Sequence, residues 1–181
     1  DLKNISTLTH DLEQLWQKGS SPDPELLKVF CDNVSDAITS LLNANTDIKA
    51  FASVVEEHAF LQYKQRDQIA FVKGVSDNYM SITRIDSTLH VGQWIDAEFI
   101  NTAVIGYGIS DKLSLSILNF GEPLQIKVPK PGTGLILSAS SAFNEADVQI
   151  SGVYTGLEEF ANKYVFVNLA LAQKLLSYEE N

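Results

Sequence analysis

An α+β fold built on a mixed β-sheet is what this sequence predicts, and three observations carry the prediction. Two runs, Val54 to Tyr63 and Gln68 to Val75, are rich in β-branched and aromatic residues, and the polar cluster Lys64, Gln65, Arg66 and Asp67 between them suits a hairpin loop. From Pro24 to about Asn43 the residues Leu27, Cys31, Val34, Ile38 and Leu41 recur at helical spacing, flanked by Leu26, Phe30, Ala37 and Leu42. Further strand-like and helix-like stretches follow without strict alternation, the pattern of an α+β or mixed-sheet protein.

The first eighteen residues place Ile5, Leu8, Leu12, Leu15 and Trp16 at helical spacing, which predicts helix from about Ser6, although Asp1 to Leu8 also reads as an edge strand. Gly19-Ser20-Ser21-Pro22 is a break. Asp23-Pro24-Glu25 then starts a helix, because Asp caps free backbone N–H groups and Pro suits the first helical position. This helix of about five turns is expected to cover one face of the sheet, with Cys31 buried as a small hydrophobe. The run Ile69-Ala70-Phe71-Val72 is apolar at every position, as in a strand covered on both sides, so the hairpin is expected at the centre of the sheet.

Beyond the hairpin, Ser76-Asp77-Asn78 reads as a turn, Tyr79 to Ile85 is of mixed character, and Gly92 marks a turn or bulge. Thr102 to Ile105 is a short strand, followed by Ile109, Leu113 and Ile117 at helical spacing. Asn119 to Pro123 is a loop, and Leu124, Ile126 and Val128 alternate as a strand with one buried face. Pro129 to Gly134 cannot continue a central strand. Leu135-Ile136-Leu137 then forms an apolar tip on the small residues Ser138 to Ala142, and Val148 to Tyr154 resumes as a strand paired with Leu124 to Val128. Tyr164 to Val167 is the last strand, with Asn168 capping a helix from Leu169 to Leu176.

Composition bounds the function. With 181 residues, the chain has enough length for one core or for two lobes sharing a sheet, 1–75 with 157–181 and 76–156. No run reaches the roughly 18 apolar residues of a membrane span, and no basic segment precedes an apolar one as in a signal peptide. The chain opens on Asp1 and its one methionine is Met80, which predicts a processed protein or an excised domain. A net charge of -10 with scattered Lys and Arg repels phosphate backbones, so nucleic acid is not an expected partner. One cysteine forms no internal disulfide and leaves the redox compartment open.

No residue set makes a strong case for chemistry. Gly106-Tyr107-Gly108 between a strand and a helix invites a dinucleotide-binding reading, but Asp111 stands where the third glycine belongs, and a carboxylate there repels pyrophosphate. His10, His58 and His90 lack metal-ligand spacing, and Glu56, Glu57 and His58 alternate across a strand, so they do not converge on one ion. There is no G-x-S-x-G elbow. Glu158-Glu159 and Glu179-Glu180 read as solvated surface, and the glycosylation sequons at Asn4 and Asn33 are short matches, the second mid-helix. No catalytic residue, metal ligand or cofactor is therefore expected. The feature that asks for a role is the long loop from Pro129 to Ala142, because connections in compact domains are mostly short. A projecting element for a partner protein fits it, its prolines limiting the entropy lost on docking.

The order of segments resembles a known family. Val54 to Tyr63 followed by Ala70 to Tyr79 is similar to the opening of the periplasmic core domain of FtsX-like ABC transporter permeases, above all the lipoprotein-releasing LolC/LolE branch and its MacB-like fold. The similarity continues through Ile85-Asp86-Ser87 to Gly92, Ala103 to Ser110, Leu124 to Val128, and Lys163 to Val167 with Ala172 to Leu175. It covers Phe51 to Glu179 and leaves the first fifty residues outside it.

That resemblance implies a non-catalytic domain, residues 1–181, on the periplasmic face of a bacterial inner membrane, its flanking membrane helices lying outside this sequence. A cytoplasmic ATPase subunit would drive the permease. In the lipoprotein-releasing branch a hook between two strands docks a periplasmic carrier chaperone, and the corresponding segment here is Val128 to Val148. Carried over by position, Pro129, Lys130, Pro131, Gly132, Thr133, Leu135, Ile136 and Leu137 would bind the partner. Lipoprotein would be the cargo. MacB-like efflux through an adaptor protein, or FtsX-like regulation of cell-wall hydrolases, would use the same type of domain. A small nucleotide-dependent enzyme built on the Gly106 turn is the reading from a different class.

Overall fold

In the computed structural model β1 (Val54–Tyr63) and β2 (Arg66–Val75) pair antiparallel along their whole length, from Val54↔Val75 to Tyr63↔Arg66. The connection is tighter than the four-residue loop expected from the sequence: Lys64 and Gln65 alone turn the chain, with Lys64 at φ 56. Arg66 and Asp67 extend the ladder, because their backbone groups find partners there whatever the polarity of their side chains. The structure describes residues 24–96, 98–99, 101–115, 122–130 and 142–176. They fall into two units, 1–51 and 52–181.

In the first unit Pro24–Ala44 forms one 21-residue helix, α1, with Pro24 at its first position as expected. Its apolar stripe does not bury Cys31. That thiol is exposed, as are Ile38 and Leu41 at 52% and 62%. Helical spacing aligns side chains on one face, but burial needs a second surface, which spacing alone does not supply. The expected helix from Ser6, the Asp23 cap and the Asn4 sequon lie outside the described residues.

The second unit continues with α2 (Tyr79–Thr83), a 3-10 turn (Ile85–Thr88), β3 (Leu89–Gly92), β4 (Thr102–Gly106) and α3 (Tyr107–Leu113). β5 (Leu124–Pro129), β6 (Phe143–Tyr154), α4 (Glu158–Ala161), β7 (Tyr164–Asn168) and α5 (Leu169–Leu175) complete it. The strands form one mixed sheet in the order β3-β6-β4-β7-β2-β1-β5, with a further pairing of β5 to β6 that closes the sheet on itself. β2 and β7 are parallel, as are β4 and β6, while β4 and β7 are antiparallel. The α+β prediction with a mixed sheet holds, and the β1–β2 hairpin lies within the sheet.

β6 makes the closure possible, and here the sequence reading is corrected. The strand starts at Phe143, five residues before the expected Val148, and Leu124 to Pro129 pair with Val148 back to Phe143. Residues from Gln149 to Tyr154 pair instead with β4. Glu145 and Asp147 disguise this strand, because its outer side is exposed and polar residues are tolerated there, while Asn144 on the inner side donates to the Leu175 carbonyl at 2.7 Å. The helix after β4 is also shorter than expected, since Ser114 turns left-handed at φ 51 and ends it. Gly92, at φ 87 beside a register shift in β3, is the predicted irregularity.

Inside the closed sheet, Ala59, Leu61, Tyr63, Val72, Ile105, Ile126, Val148, Val165 and Val167 surround Ile109 and Leu113 of α3 and Leu171, Ala172 and Leu175 of α5. Asn168 caps α5 as predicted, its side-chain oxygen accepting from Ala170 N at 2.8 Å. Gly74 lets that helix sit against β2, because a Cβ there would meet the Ala172 methyl.

A second cluster lies on the outer face of β4 and β7. Val75, Val104, Tyr154 and Phe166 are covered by Tyr79, Met80, Ile85, Trp94 and Phe160. Trp94 and Tyr154 lie 5.2 and 5.3 Å from Phe166 by ring centroids. The Tyr154 hydroxyl shares its proton between the carbonyls of Phe160 and Tyr164, at 3.0 and 3.1 Å.

Burial, then the neighbouring Tyr164 and Tyr79, raises the Tyr154 phenol well above its ordinary 10.0. The folded chain keeps that proton where the unfolded chain has released it, so this contribution to stability is full below pH 10.0 and declines at higher pH. Tyr154→Phe is expected to cost about 1 kcal/mol at neutral pH, by removing the hydroxyl's hydrogen bonds to the two carbonyls, and to flatten the alkaline decline. Urea unfolding at neutral pH and above pH 10.0 checks both; an unchanged alkaline slope in the variant refutes the assignment.

Candidate docking surface

The alternation of a strand puts Glu56, His58, Phe60 and Gln62 on one side of β1 and Ala59, Leu61 and Tyr63 on the other. Register extends the first set across the sheet. Phe60 stands opposite Ile69 on β2 and Lys127 on β5, Lys127 opposite Glu145 on β6, and His58 opposite Phe71. Phe71 in turn stands opposite Tyr164 of β7.

Among the described residues of this unit, none roofs this part of the outer face as β4 and β7 are roofed. Ile69 is 59% and Phe60 43% exposed, and Phe71 is half-buried. The expectation that Ile69 to Val72 is covered on both sides therefore fails: Ala70 and Val72 point into the core, while Ile69 and Phe71 point out. An apolar run fits both a strand buried on two faces and one that leaves an apolar face for something else.

The aromatic rings on this face are ordered by contacts. Phe60 meets Phe143 edge-on with centroids 5.6 Å apart, and His58 lies 4.0 Å from Phe71. The Lys163 ammonium sits 4.4 Å from the Phe71 centroid and 4.8 Å from that of Tyr164, within cation–π range. A hydrogen bond to the Tyr164 side chain raises the Lys163 pKa, with weaker support from the Glu56 and Glu159 carboxylates, so the charge is held at neutral pH. Lys73 pairs with Glu56 at 3.1 Å and Lys127 with Glu145 at 3.8 Å. The result is an apolar and aromatic strip edged by paired charges and ending in a cation.

The strip reaches the base of the long loop. Pro129 is the last residue of β5, opposite Phe143, and Lys130 N donates to Ala142 O at 2.9 Å. Pairing of β5 with β1 stops at Lys127, two residues short of Pro129, which has no N–H to offer. Of the residues carried over as a docking surface, Pro129 and Lys130 are described and both are exposed. Pro131, Gly132, Thr133, Leu135, Ile136 and Leu137 lie outside the described residues. Sequence reasoning missed Phe60, Ile69, Phe71 and Lys163. The signal for Phe60 was the alternation of β1, whose outer side carries Glu56, His58 and Gln62, and Ile69 and Phe71 follow from it only through the hairpin register.

The Gly106-Tyr107-Gly108 turn packs under α4. A Cβ on Gly106 would run into the Ala161 carbonyl, and one on Gly108 into the Asn162 side chain. Both glycines thus have a packing reason to be there. Beside them lies an open pocket of about 540 Å³ lined by residues including Asp111, Lys112, Glu158 and Asn162. Two carboxylates against one ammonium give it the wrong charge for a pyrophosphate. Among the described residues, no group of His, Cys, Asp and Glu is arranged to hold a metal ion, and no helix is long and apolar enough to cross a membrane.

The fold and this face define a class: a closed mixed sheet with a bare aromatic strip. No family model matches the chain, and no curated protein matches it. Among solved structures, the extracellular domain of the noncanonic ABC-type transporter YknZ from Gram-positive bacteria is similar, with a TM-score of 0.50 and 13% identity over 74% of this chain and 62% of that one. A domain described as belonging to a permease protein from Porphyromonas gingivalis gives 0.37 and 13% identity, over 72% of this chain and 52% of that one. At such identity the first likeness is one of fold: an ABC-transporter extracellular domain adopts this α+β architecture. The chain spans less than two thirds of either structure.

Gly106→Ala is expected to lower stability by about 1–3 kcal/mol, the usual cost of overpacking, because its methyl meets main chain rather than a movable side chain. Chemical denaturation measures this; an unchanged midpoint would show that α4 does not press on the turn.

Proposed function

We propose that this chain is an extracytoplasmic domain of an ABC transporter permease and that it works by gripping other proteins rather than by making or breaking bonds. The observation that carries the reading is the bare strip Phe60–Ile69–Phe71, continuous through Phe143 with the base of the loop at Pro129. A patch of this kind on an otherwise acidic chain costs solubility unless something covers it. The fold likeness to a transporter extracellular domain supports the same reading.

In this proposal the domain stands on the periplasmic face of an inner membrane, and a cytoplasmic ATPase subunit powers the permease through its membrane part. The process is lipoprotein release, with a periplasmic carrier chaperone docking on Pro129 to Leu137 and lipoprotein as cargo. The two-lobe division, 1–75 with 157–181 and 76–156, belongs to the same proposal. Efflux through an adaptor protein, or control of cell-wall hydrolases, keeps the domain and changes the client. A pull-down recovering an outer-membrane channel adaptor and no lipoprotein carrier would favour efflux.

Ile136→Asp and Leu137→Asp are expected to leave folding intact and to weaken partner binding by at least about 2 kcal/mol, the scale of an interface hot spot. Titration of the purified chain with the captured partner, beside a circular dichroism check of fold, makes the measurement. Wild-type affinity in both variants removes the loop as the docking site.

A further inference from the structure

Half of β1 has no strand beside one of its edges. Phe71 N donates to Lys163 O at 2.8 Å, away from β1, so His58, which stands opposite Phe71, turns its own N–H and carbonyl away from β2 as well. By alternation Val54 and Glu56 do the same. β5 meets that edge only from Phe60 to Gln62, and no other described strand pairs with it. In place of a strand, the Glu57 carboxylate accepts from His58 N at 2.7 Å.

The continuation of β5 is unsuited to the edge. Lys130 N donates to Ala142 O on the β6 side, so the odd-numbered positions of β5 face β1, and the register Phe60↔Lys127 sets Pro129 opposite His58 and position 131 opposite Glu56. Both are proline, with no N–H for the waiting carbonyls. A row of main-chain donors and acceptors at strand spacing is matched by another extended main chain, whereas a helix has already spent its own such groups internally.

Charge narrows the choice. Glu56 is held by Lys73 at 3.1 Å, while Glu57 is exposed and has no lysine or arginine partner among the described residues. A residue opposite Glu57 on an added strand would belong to a pair without hydrogen bonds, in which the side chains come closest.

We propose that the free edge of β1, from Val54 to His58, takes an extended segment of a partner protein as an added strand, with a lysine or arginine opposite Glu57. The inference deepens the docking reading and rests on it for the existence of a partner, but it concerns main chain rather than the aromatic strip.

The probe is a short synthetic peptide alternating threonine and valine around a central lysine, titrated into the 181-residue chain with amide hydrogen exchange read by NMR. Saturable binding is expected, with new protection at the Glu56 and His58 amides. His58→Pro removes an edge N–H that takes no part in the β1–β2 ladder and should abolish binding, while His58→Thr keeps that N–H and should retain it. Methylating the peptide amides that face β1 should abolish binding with the protein unaltered. Ile69→Ser changes the strip and not the edge and should leave binding in place; loss in that variant assigns the peptide to the strip and overturns the edge while the docking reading survives. Absence of binding overturns the proposal, as does equal binding by the two His58 variants. Protection of Glu56 and His58 in the chain without peptide also overturns it, because the edge is then filled by another segment of the chain or, where protection rises with concentration, by a second copy.

Discussion

Closure of the sheet through β6 is the constraint on which the rest depends. This one strand is long enough to pair with β5 over its first half and with β4 over its second, so six strands return to where they started. A closed sheet must fill its inside, and here two short helices do so. α3 and α5 are each seven residues long, too short to be stable by themselves, and are held by the leucines and isoleucines they place among the inward valines. Gly74 and Gly106 mark where main chains come too close for a side chain. These positions are set by the closure rather than by local conformational preference.

The outside of the sheet is treated in two ways. Over β4 and β7 the chain supplies its own roof, the segment from Tyr79 to Ile95 with α4, and Val104, Tyr154 and Phe166 beneath it are buried. Over β1, β2 and β5 the described chain supplies none, and the residues there are apolar or aromatic with their charges paired in place. A purely structural surface has no need of Ile69 and Phe60 side by side, whereas a surface that meets another macromolecule does.

Most of the elements were legible from the sequence because their signals are local. The alternation of Leu124, Ile126 and Val128, the Asn168 cap, the Pro24 start of α1 and the Gly92 irregularity each depend on a few neighbouring residues. What could not be read depends on partners distant in the chain. Phe143 to Asp147 looks like loop until β5 supplies the other half of its ladder. Cys31 looks buried because helical periodicity reports a face and not what stands against it. Ile69 looks covered because an apolar residue carries no mark of which side of a sheet it occupies. The apolar strip needs three strands in register, so no single stretch contains it, while the apolar loop tip could be singled out from composition alone.

The place of β7 in the chain has a consequence for how the molecule is made. This strand, fully apolar from Tyr164 to Val167, lies between β2 and β4, yet it follows every other described strand in the chain. The early hairpin and the middle strands therefore wait without their central neighbour, and α5 behind it brings the final plug for the interior. Closure of this sheet therefore waits for a strand and helix that come after the rest of it in the chain. A chain cut before residue 164 lacks both β7 and α5, so β2 and β4 lose the strand that joins them and the interior loses Leu171, Ala172 and Leu175.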